Sequence, residues 1–268
     1  MTTLRRLTDA DLAALADLER RVVAVDGGRL KLEPHVLRDG AADGLLTYDG
    51  ERLVGFLGVY AFGGPPELAG AVDPQARRHG VGGALLDAAL QECRQRGTDA
   101  PLLVVPAGSA SGEALARSRG GTHAHSEHAL VLTVPPQSAE DPRTALRPAR
   151  PDDTPAVARV LEAAFGHPLG DVEPGTVVVE HAGEVVGTLR VDRHGDRAGV
   201  YGFAVDPSRQ GQGIGRDVLG RVCRQQLASG ATSVALEVAV DNPHALRLYT
   251  STGFVPVAGE DYWSLPLA

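Results

Sequence analysis

The sequence predicts a mixed α/β fold (an α+β arrangement on a mixed sheet) built twice along one chain. Three observations carry that expectation. Residues 72–82 read Val-Asp-Pro-Gln-Ala-Arg-Arg-His-Gly-Val-Gly and residues 205–215 read Val-Asp-Pro-Ser-Arg-Gln-Gly-Gln-Gly-Ile-Gly, an offset of 133. A period this long signals two like domains, because solenoid repeats run about 20–50 residues. The starts also match: Leu4-Arg5 precedes Asp9 and Asp11, as Leu146-Arg147 precedes Asp152 and Asp153. Between the copies, an apolar run from Ala129 to Val134 gives way to a Pro-, Ser- and acid-rich stretch, Pro135 to Asp141. The expected organisation is a first domain over 1–134, a linker over 135–143 and a second domain over 144–268.

Each half then reads in the same order. A helix comes first, Asp9–Val22 or Asp152–Phe165, with apolar residues at helical spacing behind an acidic start. Two strands follow, Gly44–Tyr48 and Arg52–Tyr60, or Thr176–Glu180 and Glu184–Val191. Asp49-Gly50 and Ala182-Gly183 suit the tight turns between them. A further strand ends at Val72 or Val205, and a Gly-rich turn leads into the helix Val81–Arg96 or Ile214–Ser229. Next come a strand, Leu102–Val105 or Ser233–Val240, a short helix, Gly112–Arg119 or His244–Thr250, and a last β region.

Composition narrows the function classes. Of 268 residues, 43% are hydrophobic and 22% charged, as in a folded soluble protein. The net charge is −8, from 14 basic against 18 acidic residues in 1–140 and 12 against 16 in 141–268. Neither half is basic, so no nucleic-acid partner is expected. No apolar run reaches the ~18 residues of a membrane span, and the first eleven residues are too polar for a signal peptide. Cys93 and Cys223 fall inside helical patterns, which argues for core packing in a reducing cytoplasm. The chain has 25 Arg and one Lys, Lys31, which reads as base composition of the genome.

The Gly-rich turn carries the chemistry. Gln210-x-x-Gly213-x-Gly215 and Arg77-x-x-Gly80-x-Gly82 each stand between a strand and a helix. Glycines let backbone approach a ligand, and the free N–H groups of a first helical turn attract anions such as a pyrophosphate. No Gly-Lys-Ser/Thr follows, so this is not a P-loop, and the glycine spacing does not fit a dinucleotide-binding βαβ unit. A turn that merely closes a helix is the structural alternative. Two copies, both after Val-Asp-Pro, favour the ligand.

Both copies resemble the acyl-CoA signature of the GNAT superfamily of N-acyltransferases, Gln/Arg-x-x-Gly-x-Gly/Ala. The resemblance covers essentially the whole chain as two GNAT domains in tandem. It implies acetyl-CoA as cosubstrate and no metal. By that resemblance the backbone of Gln210, Gly211, Gln212, Gly213, Ile214, Gly215 and Arg216 holds the pyrophosphate. Phe203, Ala204 and Val205 pair with the pantetheine arm. In the first half Val72, Arg77, Arg78, His79, Gly80, Val81, Gly82 and Gly83 take the same places.

The second motif separates the halves. Asn242 suits a helix N-cap and Gly253 a helix end, with Tyr249 between them. In the family an Asn and a Tyr at these positions mark the active half. When an amine attacks a thioester, the departing thiolate needs a proton or a hydrogen bond, which a tyrosine hydroxyl supplies. The resemblance thus makes Tyr249 the general acid and Asn242 the residue that orders its helix. The offset of 133 maps Asn242 to Ser109, Tyr249 to Ala116 and Gly253 to Gly120, so the first domain is expected to be catalytically degenerate. Glu237 and Tyr201 are the candidate bases, and sequence does not fix which face of its strand either occupies.

Among tandem GNAT proteins the chain is similar to the mycothiol synthase-like ones. Ala24-Val25-Asp26-Gly27 with Val36-Leu37-Arg38, the stretch Asp73 to Arg78, and Ala164-Phe165-Gly166-His167-Pro168 carry the likeness. Such enzymes acetylate the cysteinyl amine of a glucosaminyl-inositol conjugate. Two departures stand out: a short connection from Pro168 to Thr176, and Gly199 where the relatives carry a glutamate.

The expected protein is a cytoplasmic N-acetyltransferase, a monomer or homodimer, that transfers acetyl from acetyl-CoA to a primary amine of a small molecule by direct attack. Mycothiol-type acetylation, acetylation of a peptide N-terminus and a non-catalytic acyl-CoA sensor remain as alternatives. His123, His125 and His128 could supply zinc ligands, but an exposed edge strand explains them better. Tyr262 and Trp263 read as core or substrate-wall residues.

Overall fold

The computed structural model describes residues 4–62, 64–166 and 172–267. They divide into two compact units, each a mixed sheet with helices on its faces. His167 and Pro168 lie outside the described residues.

The N-terminal unit opens on Arg5, whose guanidinium meets Asp11 through hydrogen bonds of 2.6 and 2.7 Å. Asp11 and Thr8 form a capping box at the start of α1 (Asp9–Asp26), which runs four residues past the expected end at Val22 to a C-cap at Gly27. Leu15, Leu18 and Val22 of α1 are buried. A short α2 (Pro34–Arg38), which the sequence reading left out, follows with proline in its first turn. β1 (Asp43–Asp49), β2 (Arg52–Tyr60) and β3 (Glu67–Val72) are antiparallel neighbours. α3 (Val81–Arg96) returns the chain to β4 (Leu102–Pro106), parallel to β3. Next come α4 (Ala110–Ser118) and β5 (Thr122–Leu132), of which the residues through Glu127 belong to this unit.

The unit is completed by the end of the chain. β11 (Val255–Ser264) pairs antiparallel with β4 from Glu260↔Pro106 to Ser264↔Leu102, giving the order β1-β2-β3-β4-β11-β5. Residues from Ala258 onward therefore belong to the N-terminal unit, which corrects the boundary of 144–268. Composition marks the Pro/Ser stretch but carries no trace of which strand a distant segment will pair with.

The C-terminal unit, His128–Val257, repeats the plan. β6 (Thr144–Pro148) sits beside β7 (Thr176–His181), β8 (Glu184–His194), β9 (Arg197–Val205), β10 (Ser233–Ala239) and the later residues of β5, in the order β5-β10-β9-β8-β7-β6. α5 (Thr154–Phe165) covers one face, where Val157, Val160 and Leu161 pack with Val178 and Ala204. α6 (Ile214–Ala228) covers the other, with Val218, Leu219 and Val222 against Val234, Leu236 and Val238. α7 (Pro243–Thr252) adds Tyr249 to that second core. Arg147 meets Asp153 at 2.6 and 2.8 Å, repeating the Arg5–Asp11 clamp and accounting for the matched starts.

The stretch expected to link the domains is tied down. Arg221 donates to the carbonyls of Asp141 and Thr144 at 2.6 and 3.0 Å, and Arg224 to that of Pro136 at 3.2 Å. The Ser138 hydroxyl rests on Gly220 of α6, in the space a side chain there would fill. Among the described residues no helix is long and apolar enough to cross a membrane.

Candidate active site

The site begins where β9 ends. Asp206 accepts from the Ser208 N–H at 2.9 Å and turns the chain through Pro207–Arg209. The Gln210 side-chain amide then donates to the Val205 carbonyl at 3.0 Å, fastening the turn to the strand end. Gly213 occupies the N-cap of α6 in the left-handed region, φ 81°, with no side chain capping the helix. The first N–H to find its helical acceptor is that of Asp217, 3.1 Å from the Gly213 carbonyl. The N–H groups of Ile214, Gly215 and Arg216 thus stand in the orphaned first turn, which suits an anion. A side chain at Gly215 would come within 3.3 Å of Leu248, so the turn fits closely against α7.

The N-terminal unit repeats this turn. Asp73 accepts from Gln75 N–H at 3.0 Å, Arg77 donates to the Val72 carbonyl at 3.2 Å, and Gly80 is an uncapped N-cap at φ 84°. Val81, Gly82 and Gly83 form its first turn, and Arg78 and His79 are exposed beside it, as Gly211 and Gln212 are in the other copy. Arg77 differs from Gln210 in being clamped by Asp26 at 2.8 and 2.6 Å.

Beyond the turns both units have a parallel strand pair joined over a few residues, Glu67–Leu68 with Leu102–Leu103 in the first, and they differ in a bulge. β9 and β10 are parallel and pair only over Arg197–Gly199 against Ser233–Ala235. Their C-terminal ends part, so the backbone of Phe203, Ala204 and Val205 is not laddered to β10. β9 also carries a bulge. Thr188 faces Ala204 and Arg190 faces Tyr201, which leaves one extra residue on β9. Gly202 takes the strain at φ 55°. Core-facing positions on the α6 side shift accordingly from Ala198 and Val200 to Phe203 and Val205. Bulges re-aim side chains and backbone next to active sites. The matching β3 pairs with β2 in unbroken register from Gly55↔Val72 to Tyr60↔Glu67.

The candidate catalytic side chains are carried by β9, β10 and α7. Tyr249 is buried to 7% exposure on the α6 side, and among the described residues its hydroxyl has no hydrogen-bond partner. Burial pushes its pKa up to about 12, so the phenol keeps its proton at neutral pH. Asn242 is the N-cap of α7, its side chain accepting from Ala245 N–H at 3.0 Å. Ser109 does the same for Gly112 at 3.3 Å in α4, so the cap survives in both units. Only the tyrosine is lost, replaced by the fully buried Ala116. Glu237 and Tyr201 lie on the sheet face opposite α6, since Val234, Leu236, Val238 and Val200 point to α6. Each stands two residues past the last paired position, Ala235 and Gly199, on either side of the mouth. The bulge at Gly202 and the Arg190 guanidinium, 5.0 Å over the Tyr201 ring, escaped the sequence reading. The Tyr-Gly dipeptide inside a strand was the available signal for the bulge.

The remaining candidates fall elsewhere. His123 bonds Ser126 at 2.9 Å and His125 stacks on Tyr262, 4.3 Å between ring centres. Among the described residues no group of His, Cys, Asp and Glu could hold a metal. Tyr262 and Trp263 are buried in the N-terminal unit, and Cys93 and Cys223 are buried free thiols whose pKa burial raises.

Comparison with known proteins agrees with the fold and the duplication. The family model described as acetyltransferase (GNAT) family matches twice, over 13–120 and 139–254. A mycothiol acetyltransferase of Kytococcus sedentarius is 32% identical over 300 aligned positions, covering 97% of this chain and 96% of the relative. The crystal structure of a GCN5-related N-acetyltransferase from Sphaerobacter thermophilus superposes with a TM-score of 0.80 at 20% identity, over 99% of this chain and 95% of that one. A tandem GNAT protein from the clavulanic acid biosynthesis pathway superposes with a TM-score of 0.67 at 17% identity, over 100% and 99%.

Proposed function

The chain belongs to the acetyltransferase (GNAT) family, and we propose that its C-terminal unit transfers acetyl from acetyl-CoA to a primary amine of a small molecule. The observation that carries this reading is Tyr249, its ring in the core with Val205 and Val238 at the ends of β9 and β10, its phenol protonated at neutral pH and its hydroxyl without a hydrogen-bond partner among the described residues. The orphaned N–H groups of Ile214–Arg216 receive the pyrophosphate, and the parted edge of β9 at Phe203–Val205 pairs with the extended pantetheine arm, as an added strand would.

The two-sided layout supports direct transfer. The amine approaches from the face of Tyr201 and Glu237, and Tyr249 waits on the other. The amine nitrogen bonds to the acetyl carbon, the carbon–sulfur bond breaks, and the Tyr249 O–H gives its proton to the sulfur. The proton shed by the amine passes to Glu237 or Tyr201. Asn242 is a positioning residue, holding the start of the helix that carries Tyr249. The N-terminal unit keeps an anion-binding turn and lacks both tyrosine and bulge, which supports a silent copy.

A second reading narrows the acceptor to the cysteinyl amine of a mycothiol precursor. It is favoured by the curated relatives, which match along nearly the whole chain. The test for both is thiol release from acetyl-CoA across amines, including polyamines, aminoglycosides, amino acids, short peptides and a cysteinyl-glucosaminyl-inositol. Transfer to the last alone establishes the narrower reading. Acetyl-CoA binding with no thiol release on any acceptor overturns both and leaves a sensor.

A further inference from the structure

The mouth between β9 and β10 has a wall whose ring the proton transfers outlined above do not use. Tyr201 is 38% exposed although its strand lies inside the sheet. Its ring lies along β9 across Gly199: a Cβ there would stand 2.5 Å from the Tyr201 hydroxyl. Gly199 is therefore small because the ring uses its space, and a carboxylate at 199 is incompatible with Tyr201 as it stands. The neighbouring strand supplies Arg190, opposite Tyr201, and Asp192, opposite Gly199. The Arg190 guanidinium rests over the ring and is held by Glu173 and Asp192 at 2.7 and 3.0 Å. The ring is thus already arranged to receive a cation, and the cation on it is spoken for by two carboxylates.

We infer that Tyr201 is a specificity-determining residue for the acceptor, its ring receiving the ammonium end of an amine that bears no carboxylate beside it. An aromatic face attracts alkylammonium groups and repels anions. Glu237 across the mouth adds negative charge on the same face. An α-carboxylate would meet that charge, and Arg190, engaged on both sides, does not offset it. The inference rests on the reading of this mouth as the acceptor side.

Isothermal titration of the CoA-loaded chain with matched pairs, putrescine against ornithine and cysteamine against cysteine, tests it without turnover. The amine of each pair is expected to bind at least tenfold tighter than its carboxylated partner. Tyr201→Ala is expected to lose at least tenfold of that affinity, and Tyr201→Phe, which keeps the ring, less than threefold. CoA affinity reports in both variants that the unit is folded. Equal binding within the pairs, an unaltered affinity in Tyr201→Ala, or no amine binding to the wild type overturns the inference. Amine binding with these preferences but no thiol release from acetyl-CoA overturns the transfer reaction instead.

Discussion

The side-chain amide of Gln210 donates to the main-chain carbonyl of Val205 at 3.0 Å, which ties the strand end to the first residue of the Gly-rich turn. Arg77 and Val72 repeat the contact at 3.2 Å, which explains why either a Gln or an Arg serves at this position. Gln210→Ala frees the turn while leaving its backbone donors intact. Acetyl-CoA affinity, measured by calorimetry, is expected to fall about five- to tenfold, the loss of roughly one hydrogen bond's net worth. An unchanged affinity means the turn is rigid without the tether.

Tyr249 isolates catalysis from folding. Among the described residues its hydroxyl has no hydrogen-bond partner, so Tyr249→Phe is expected to keep the melting temperature and the acetyl-CoA affinity. The turnover number is expected to fall at least tenfold, about 1.4 kcal/mol of barrier. Because the folded phenol titrates only near 12, the wild-type rate should show no loss through Tyr249 ionisation between pH 7 and 10.

The two turns can be told apart by stoichiometry. Gly215→Glu sets a side chain and a negative charge against Leu248 in the first turn of α6. It is expected to abolish transfer and to remove one acetyl-CoA equivalent from a wild-type total of two. Gly82→Glu, the same change in α3, is expected to remove the other equivalent while most of the transfer persists. Loss of transfer in both variants would assign a catalytic part to the N-terminal unit.

Acid sensitivity should reside in the helix starts. Hydrogen bonds from Arg5, with further ones from Thr8 and Tyr48, hold the Asp11 carboxyl well below its ordinary value of 3.8. A carboxylate depressed in the folded state stabilises it above the unfolded pKa, and that contribution fades as pH falls from about 4 toward the folded value. Asp11→Asn is expected to cost on the order of 2 kcal/mol at pH 7 and progressively less below pH 4, read by urea unfolding.

Lys31 is the chain's one lysine, and its place in the fold assigns it a role that composition did not. Its ammonium, with 9% of the side chain exposed, donates to the Tyr262 hydroxyl at 2.6 Å and pairs with Glu67 at 3.3 Å. Tyr262 lies on β11, the strand that completes the N-terminal unit. A guanidinium is larger, planar and cannot shed its charge, so Lys31→Arg is expected to destabilise the unit by about 1–3 kcal/mol, seen as a lower melting temperature.

The sequence by itself determined what is local. The duplicated order of elements, the two Gly-rich turns and the helix caps follow from side-chain spacing and backbone preference over a few residues each. The offset of 133 locates Asp73 and Asp206, Gly80 and Gly213, and Ser109 and Asn242 in like roles, because a cap answers to its nearest neighbours. Tertiary structure decided what depends on pairing between distant strands. Whether Glu237 and Tyr201 share a face turned on the register of β9 with β10, and a slip of one residue would have put them on opposite faces. The placement of β11 beside β4 is of the same kind. A hydrogen-bond ladder is chosen by both of its strands, and neither strand alone carries the choice.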